Sequence, residues 1–334
     1  MNPHTPSVFA LDFRSFVEKL AASGAPPIYT LPPAQARQVL EDLQGVAPQT
    51  RAISRIDHIL PVGPRGETSI RIFRPSEIAA LLPTVVYFHG GGWILGSQNT
   101  HDHLMQDLSE STNAAFVFVN FTPSPESQYP DPIEQAYAVV KYIAEDGLSI
   151  DLDPARIAVA GDSAGGNMAI AVALLAKERN GPKLLHQALF YPVTDASMST
   201  DSYNQFSKGP WLEAASMEWF WNAYAPKATD RARITVSPVL ATPADLSFLP
   251  PATIVTAEND VLRDEGETYA HLLMQADVDV VAVRYSGTIH DFLMLNPLMG
   301  TSATRSAIAL VSGRLREALG NESDLMGKHM KRFI

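Results

Sequence analysis

The chain contains no cysteine among its 334 residues. Disulfide staples, thiolate metal sites and a cysteine nucleophile are therefore excluded together, and the absence fits a reducing compartment. Basic residues are scarce as well. Against 36 aspartates and glutamates stand 25 lysines and arginines, a formal net charge of −11. A surface of that sign repels a phosphate backbone, so nucleic acid is not an expected partner. Long apolar runs are also missing: residues 168–176, the longest, are about half of what a bilayer crossing needs. The first fourteen residues lack the basic start and apolar run of a signal peptide. A cytoplasmic protein without membrane contact is the expectation. No repeat or low-complexity tract interrupts the chain.

What is present is core material. Hydrophobic residues make up 46% and charged residues 18%, a globular balance that rules out a disordered or fibrous chain. At roughly 150 residues per domain, the length allows one large domain or two smaller ones. The first fifty residues read as helical pieces broken at Pro26–Pro27 and Pro32–Pro33, with Phe13, Phe16, Val17 and Leu20 at helical spacing. The period then changes. Residues 52–60 and 68–73 alternate like strands around the turn Val62-Gly63-Pro64-Arg65-Gly66, which predicts a hairpin. Further short strands are expected at 84–89, 114–120, 157–160, 187–191, 252–257 and 279–285. Helical patterns at 133–144, 166–179, 265–275 and 302–319 separate most of them. Such alternation predicts a mostly parallel sheet covered on both faces. The apolar face of 302–319 serves equally to cover that sheet or to pair two copies in a homodimer.

One insertion, residues 194–249, breaks the rhythm. Within it Met217, Phe220, Trp221 and Tyr224 share one helix face. The stripe suits a helix packed on the domain or a lid lining an apolar pocket, and both hold if the helix belongs to a cap. The amino-terminal segment is the natural second piece of that cap.

Two glycine motifs carry the chemistry. Gly161-Asp162-Ser163-Ala164-Gly165-Gly166 stands between an expected strand and an expected helix. A serine at such a turn is forced into a sharp bend that lifts its oxygen above the sheet, and the helix amino terminus offers free N–H groups to developing negative charge. His89-Gly90-Gly91-Gly92-Trp93 follows the strand at 84–89. Consecutive glycines are entropically costly and make sense where backbone N–H groups must point at a ligand. Gly91 and Gly92 would supply two oxyanion donors and the Ala164 amide a third. A phosphate loop fits poorly, since neither the Gly-Lys-Ser/Thr ending nor the Gly-x-Gly-x-x-Gly spacing is present.

With both motifs in this order, the chain resembles the hormone-sensitive-lipase-like esterases, the bacterial family IV carboxylesterases of the α/β-hydrolase superfamily. The resemblance runs from about residue 50 to 320. It implies an α/β-hydrolase fold with a mostly parallel eight-stranded sheet flanked by helices. A helical cap would come from residues 1–50 and 194–249, over a core of residues 51–193 and 250–334. It also implies a cofactor-independent serine carboxylesterase acting on small esters of short or medium acyl chain, with Trp93, Met217, Phe220 and Trp221 as candidate pocket residues. A lactone, carbamate or amide hydrolase on the same triad, or a non-catalytic binding module, is the alternative.

An elbow serine needs a base and an orienting acid, in the order serine, acid, histidine. His290, just after the last strand, is the base; His271 sits in a helical pattern and His329 in a polar tail. Glu258, Asp260 and Asp264 compete for the acid. Asp260 leads, because it follows strand 252–257 at the carboxyl edge of the sheet, where ligands bind, and because the family carries its acid at the first position of a similar segment. Asp264 reads as a helix cap and Glu258 as a strand-end hydrogen-bonding residue.

The chain departs from the family twice. Asp291 stands beside His290 where the family usually has glycine, and a carboxylate there is expected to raise the imidazole pKa. Phe121-Thr122-Pro123-Ser124-Pro125-Glu126 replaces Tyr-Arg-Leu-Ala-Pro-Glu, so local packing is expected to differ while the chemistry persists. Finally, His101-Asp102-His103 has a metal-like pair but no further ligand nearby in sequence. It reads as a helix start, and no metal site is expected.

Overall fold

The computed structural model describes residues 8–46, 52–76, 78 and 80–320. His329 lies outside them. Eight strands form one sheet: β1 (Ile53–Leu60), β2 (Thr68–Pro75), β3 (Leu82–Phe88), β4 (Ala115–Asn120), β5 (Leu152–Asp162), β6 (Gln187–Phe190), β7 (Ala252–Asn259) and β8 (Val280–Ile289). Their spatial order is β1-β2-β4-β3-β5-β6-β7-β8. β1 and β2 form the expected antiparallel hairpin, with Leu60 opposite Thr68, and β2 runs antiparallel to β4. From β4 to β8 every neighbouring pair is parallel. Every residue of β3 and β6 is buried, which is why these strands are mostly apolar on both faces rather than alternating.

Helices α3 (Asp102–Thr112), α4 (Asp131–Asp146), α5 (Ala164–Glu178), α10 (Arg263–Gln275) and α11 (Ser302–Ala318) cover the sheet. α3 packs against α11, and α4 against α5. The apolar face of α11, including Ala307, Val311 and Leu315, is thus buried within the chain, and a pairing of copies would need another surface.

Two segments lie outside this scheme. The amino-terminal one holds α1 (Leu11–Ala22) and α2 (Pro33–Gln44), and the insertion holds α6 (Asp201–Gln205), α7 (Ala214–Tyr224), α8 (Ala228–Arg231) and α9 (Pro243–Leu246). They meet where α7 touches the turn Ile28–Thr30 and where the Phe16 and Trp211 rings lie 5.8 Å apart. α1 is mostly exposed, and its one buried side chain is Phe13, set edge-on to Phe292 at 6.4 Å. Burial of a phenylalanine is worth about 1.5–3 kcal/mol, so this ring is a main anchor of α1.

Candidate active site

Strand order brings the two glycine motifs together. The sheet changes direction of growth between β3 and β5, and ligand sites form at the carboxyl ends of strands at such a switch point. Phe88 pairs with Gly161 across that boundary, so the glycine loop and the serine leave the sheet side by side. Ser163 has φ 53 and ψ −119, a strained conformation for a side-chain-bearing residue. Its amide donates to the Phe190 carbonyl at 2.8 Å, and its carbonyl accepts the Val193 amide at 3.1 Å. Gly165 is required by close approach, because a Cβ there would run into the Phe88 carbonyl oxygen.

The structure brings Ser163, His290 and Asp260 into one hydrogen-bonded line. The Ser163 hydroxyl lies 2.9 Å from His290 Nε2, and His290 Nδ1 donates to Asp260 Oδ2 at 2.7 Å. The other Asp260 oxygen accepts the Leu262 amide at 2.9 Å. All three side chains are buried. Burial by itself would lower the imidazole pKa, but the Asp260 charge, and after it the Asp291 charge, outweigh burial and raise it above the ordinary 6.5. The rival acids are occupied elsewhere. Glu258 accepts the Gly287 amide at 2.6 Å. Asp264, read from sequence as a helix cap, instead accepts the Ser202 amide at 2.7 Å and pairs with Arg263, which ties the base of the insertion to α10. His271 is exposed on that helix.

Asp291 approaches the same imidazole from the cavity side. One of its oxygens lies 3.4 Å from His290 Nε2, and the other accepts the Trp211 indole N–H at 2.9 Å. Its own pKa is raised, chiefly by burial.

The glycine loop turns on Gly91, whose carbonyl accepts the amides of Ile94 and Leu95 at 3.1 and 2.8 Å. That turn leaves the Gly91 and Gly92 amides, and the Ala164 amide at the start of α5, without an acceptor among the described residues. The helix amino terminus adds a favourable field for negative charge. Gly92 has φ +60, and a Cβ there would collide with the Phe220 ring. The glycine is a socket for that ring.

Beneath the loop lies a cluster that sequence reading missed. Asp162, fully buried, accepts the Tyr87 hydroxyl at 2.7 Å and the Gly90 amide at 2.9 Å. His101 Nε2 lies 3.4 Å from its other oxygen. Burial opposes charge on both groups, yet their mutual attraction outweighs it, lowering the Asp162 pKa and raising that of His101. His101 is thus the buried partner of the elbow aspartate. Its neighbour Asp102 pairs with Arg55 at 2.6 Å, and His103 faces Asp107 at 3.9 Å. In the sequence the pair showed only as an aspartate next to Ser163 and a histidine read as part of a helix start. The departing segment 121–126 also packs here. Phe121 stacks on His89 at 4.4 Å, and Glu126 takes two hydrogen bonds from Arg37 of α2.

Above Ser163 opens a cavity of about 460 Å³ lined by Gly91, Gly92, His290, Asp291 and Phe220, and by Val17, Leu20, Leu95, Trp211 and Met294. A larger groove of about 810 Å³ near Ile133 and Arg179 reaches none of these groups. Of the pocket residues expected from sequence, Phe220 lines the cavity, while Trp93, Trp221 and Met217 do not. Trp93 is fully buried, stacked on Tyr224 at 4.1 Å and against Trp221 at 4.8 Å. These rings glue α7 to the glycine loop, which is the packing role of an apolar helix stripe.

Comparison with known proteins finds relatives among the α/β hydrolases and esterases. A family described as the α/β hydrolase fold matches residues 85–294. The carboxylesterase NlhH of Mycobacterium tuberculosis is 39% identical over 75% of this chain and 80% of its own. An ethyl acetate hydrolase of Pseudomonas putida is 33% identical over 82% and 87%. The crystal structure of a thermostable esterase from Pseudomonas putida ECU1011 superposes with a TM-score of 0.92, at 43% identity, covering 95% of this chain and 99% of that one.

Proposed function

The chain belongs to the α/β-hydrolase fold family, in its hormone-sensitive-lipase-like branch, and on that premise we propose that it hydrolyses carboxylic esters through Ser163, His290 and Asp260. The carrying observation is the unbroken hydrogen-bonded line from the Ser163 hydroxyl through His290 to Asp260.

In this reading His290 takes the Ser163 proton as the oxygen attacks the ester carbonyl. Asp260 fixes the tautomer with the proton on Nδ1 and stabilises the imidazolium. The tetrahedral oxyanion is held by the amides of Gly91, Gly92 and Ala164, each worth about 3 kcal/mol. His290 then protonates the leaving alcohol, and water releases the acid from the acyl-serine by the same steps reversed. Proton transfer contributes roughly 10²–10⁴-fold.

The amino-terminal helices and the insertion 194–249 act as a cap over the cavity. The cavity's size and apolar wall, together with a relative named for ethyl acetate, support short to medium acyl chains. The partner is a small-molecule ester rather than nucleic acid, given the net charge of −11. No helix of the described residues is long and apolar enough to cross a membrane, and the absence of cysteine supports a cytoplasmic setting.

A series of p-nitrophenyl esters of rising chain length, run beside Ser163→Ala, tests the reading. The expected result is turnover of the acetate and butyrate, lost with the substitution. Saturable binding without turnover, or full turnover by Ser163→Ala, overturns it.

A further inference from the structure

The last residue of α2 carries an amide that has both N–H groups and its oxygen hydrogen-bonded. Gln44 is buried. Its Nε2 donates to the Thr100 carbonyl at 2.6 Å and to the Met294 carbonyl at 2.8 Å. Its Oε1 accepts the Asn296 amide at 2.9 Å, and its main-chain carbonyl accepts the Asn296 side chain at 2.7 Å. With both N–H groups on carbonyls and the oxygen on an N–H, only one orientation of the amide satisfies all partners.

The partners belong to two different loops. Thr100 closes the loop that continues from Gly91 and Gly92, where its hydroxyl accepts the Ser97 amide at 2.9 Å. Met294 sits in the turn just after His290, where the amides of Met294 and Leu295 donate to the Asp291 carbonyl at 2.9 and 3.0 Å. The strands that deliver these loops, β3 and β8, are separated in the sheet by β5, β6 and β7. No ladder fixes one loop against the other. Gln44 does so directly, and the same helix repeats the contact upstream: Arg37 donates to the carbonyls of Ile94 at 2.8 Å and Ser124 at 2.9 Å, and Glu41 accepts the Ser97 hydroxyl.

We infer that Gln44 is a positioning residue that sets the distance between the oxyanion amides and the His290 imidazole. The inference rests on the ester-hydrolase reading above. It gives α2 a second role: Val39, Leu40 and Leu43 line the cavity together with Val17 and Leu20 of α1, while Gln44 at its end joins the catalytic frame. A misplacement of about 1 Å in such a frame costs on the order of 10²-fold in rate, and it acts on the chemical step rather than on binding.

The test is the kcat and KM of Gln44→Met, which keeps length and apolar volume but removes every side-chain hydrogen bond, and of Asn296→Ala, which removes only the side-chain half of the tie. Rates are read on p-nitrophenyl acetate well below each variant's melting midpoint. A fall in kcat of about 10–100-fold for Gln44→Met with KM within about twofold, and a smaller fall for Asn296→Ala that does not add in the double variant, supports the inference. Unchanged kcat with a lowered melting midpoint, or a loss confined to KM, overturns it. Should Gln44→Met not fold, Gln44→Glu, which keeps the acceptor and presents a carboxylate to two carbonyls, decides by the same split. A wild-type enzyme that turns over esters through Ser163 while Gln44→Met matches its kcat refutes only the role of Gln44. A wild type without turnover refutes the hydrolase reading first.

Discussion

Below Ser163 the polar groups are buried and paired: Asp162 with Tyr87, Gly90 and His101, and Asp260 with His290 and Leu262. Above it, Val17, Leu20, Trp211 and Phe220 face the cavity with mostly apolar surface, and Trp211 reaches a single carboxylate, Asp291. Directional bonds in a dry floor hold atoms to fractions of an ångström, which the chemical step needs. Non-directional contacts in the roof fix only shape and volume. Chemistry and selectivity are thereby assigned to different parts of the molecule, and substitutions should separate along that line.

The sharpest break is Asp260→Asn. It preserves shape but favours the wrong imidazole tautomer, and a fall in kcat of about 10⁴-fold is expected, with KM for p-nitrophenyl acetate little changed.

Next is His101→Asn, which strands the Asp162 charge in the floor. Removing one partner of a buried pair costs about 3–5 kcal/mol, readable in a denaturant midpoint. The pH dependence has a definite sign. His101 has a folded pKa above 6.5 and Asp162 one below 3.8. The pair's contribution is therefore complete between those two values. It is lost as pH rises through the folded pKa of His101, and lost again as pH falls through that of Asp162. The gap between wild type and variant should accordingly narrow in alkaline buffer. A constant gap across pH would mean that the pair is not ionised.

The mildest is Asp291→Asn, at the junction of floor and roof. Its carboxylate favours the imidazolium form of His290, whereas catalysis needs the neutral ring. Removing the charge should move the acidic limb of kcat/KM to lower pH by roughly one unit, leaving the plateau rate nearly unchanged. An unmoved limb would leave Asp260, with a smaller contribution from Asp162, as the source of the raised imidazole pKa.

The floor was the readable part of the sequence. Ser163 and the glycines stand out because a strained turn and exposed amides demand residue types that are costly elsewhere. His290 and Asp260 follow from strand ends and chain order. Asp162 and His101 were visible as letters but not as a pair, since only the Phe88–Gly161 register brings their loops together. The roof was less legible. The period of α7 gives the buried face that carries Phe220 and Trp221, but not which member of that face meets the cavity and which meets Trp93. Trp211 lies in an aperiodic stretch, and Gln44 bonds to residues 56 and 250 positions further along the chain. Periodicity reports a neighbour on the same element; it is silent about one reached through the tertiary fold. Asp264 failed for a related reason, since capping rules describe a helix by itself and its partner Ser202 comes from the insertion.

The Phe220 ring seated on Gly92 makes those two positions one unit of variation. Any enlargement at 92 must be matched by truncation at 220, and truncation at 220 alone enlarges the cavity that Ser163 also lines. Reshaping of the cavity therefore has little freedom there. It has much more along α1, where Val17 and Leu20 are only half-buried and can be exchanged without disturbing a single hydrogen bond of the catalytic line.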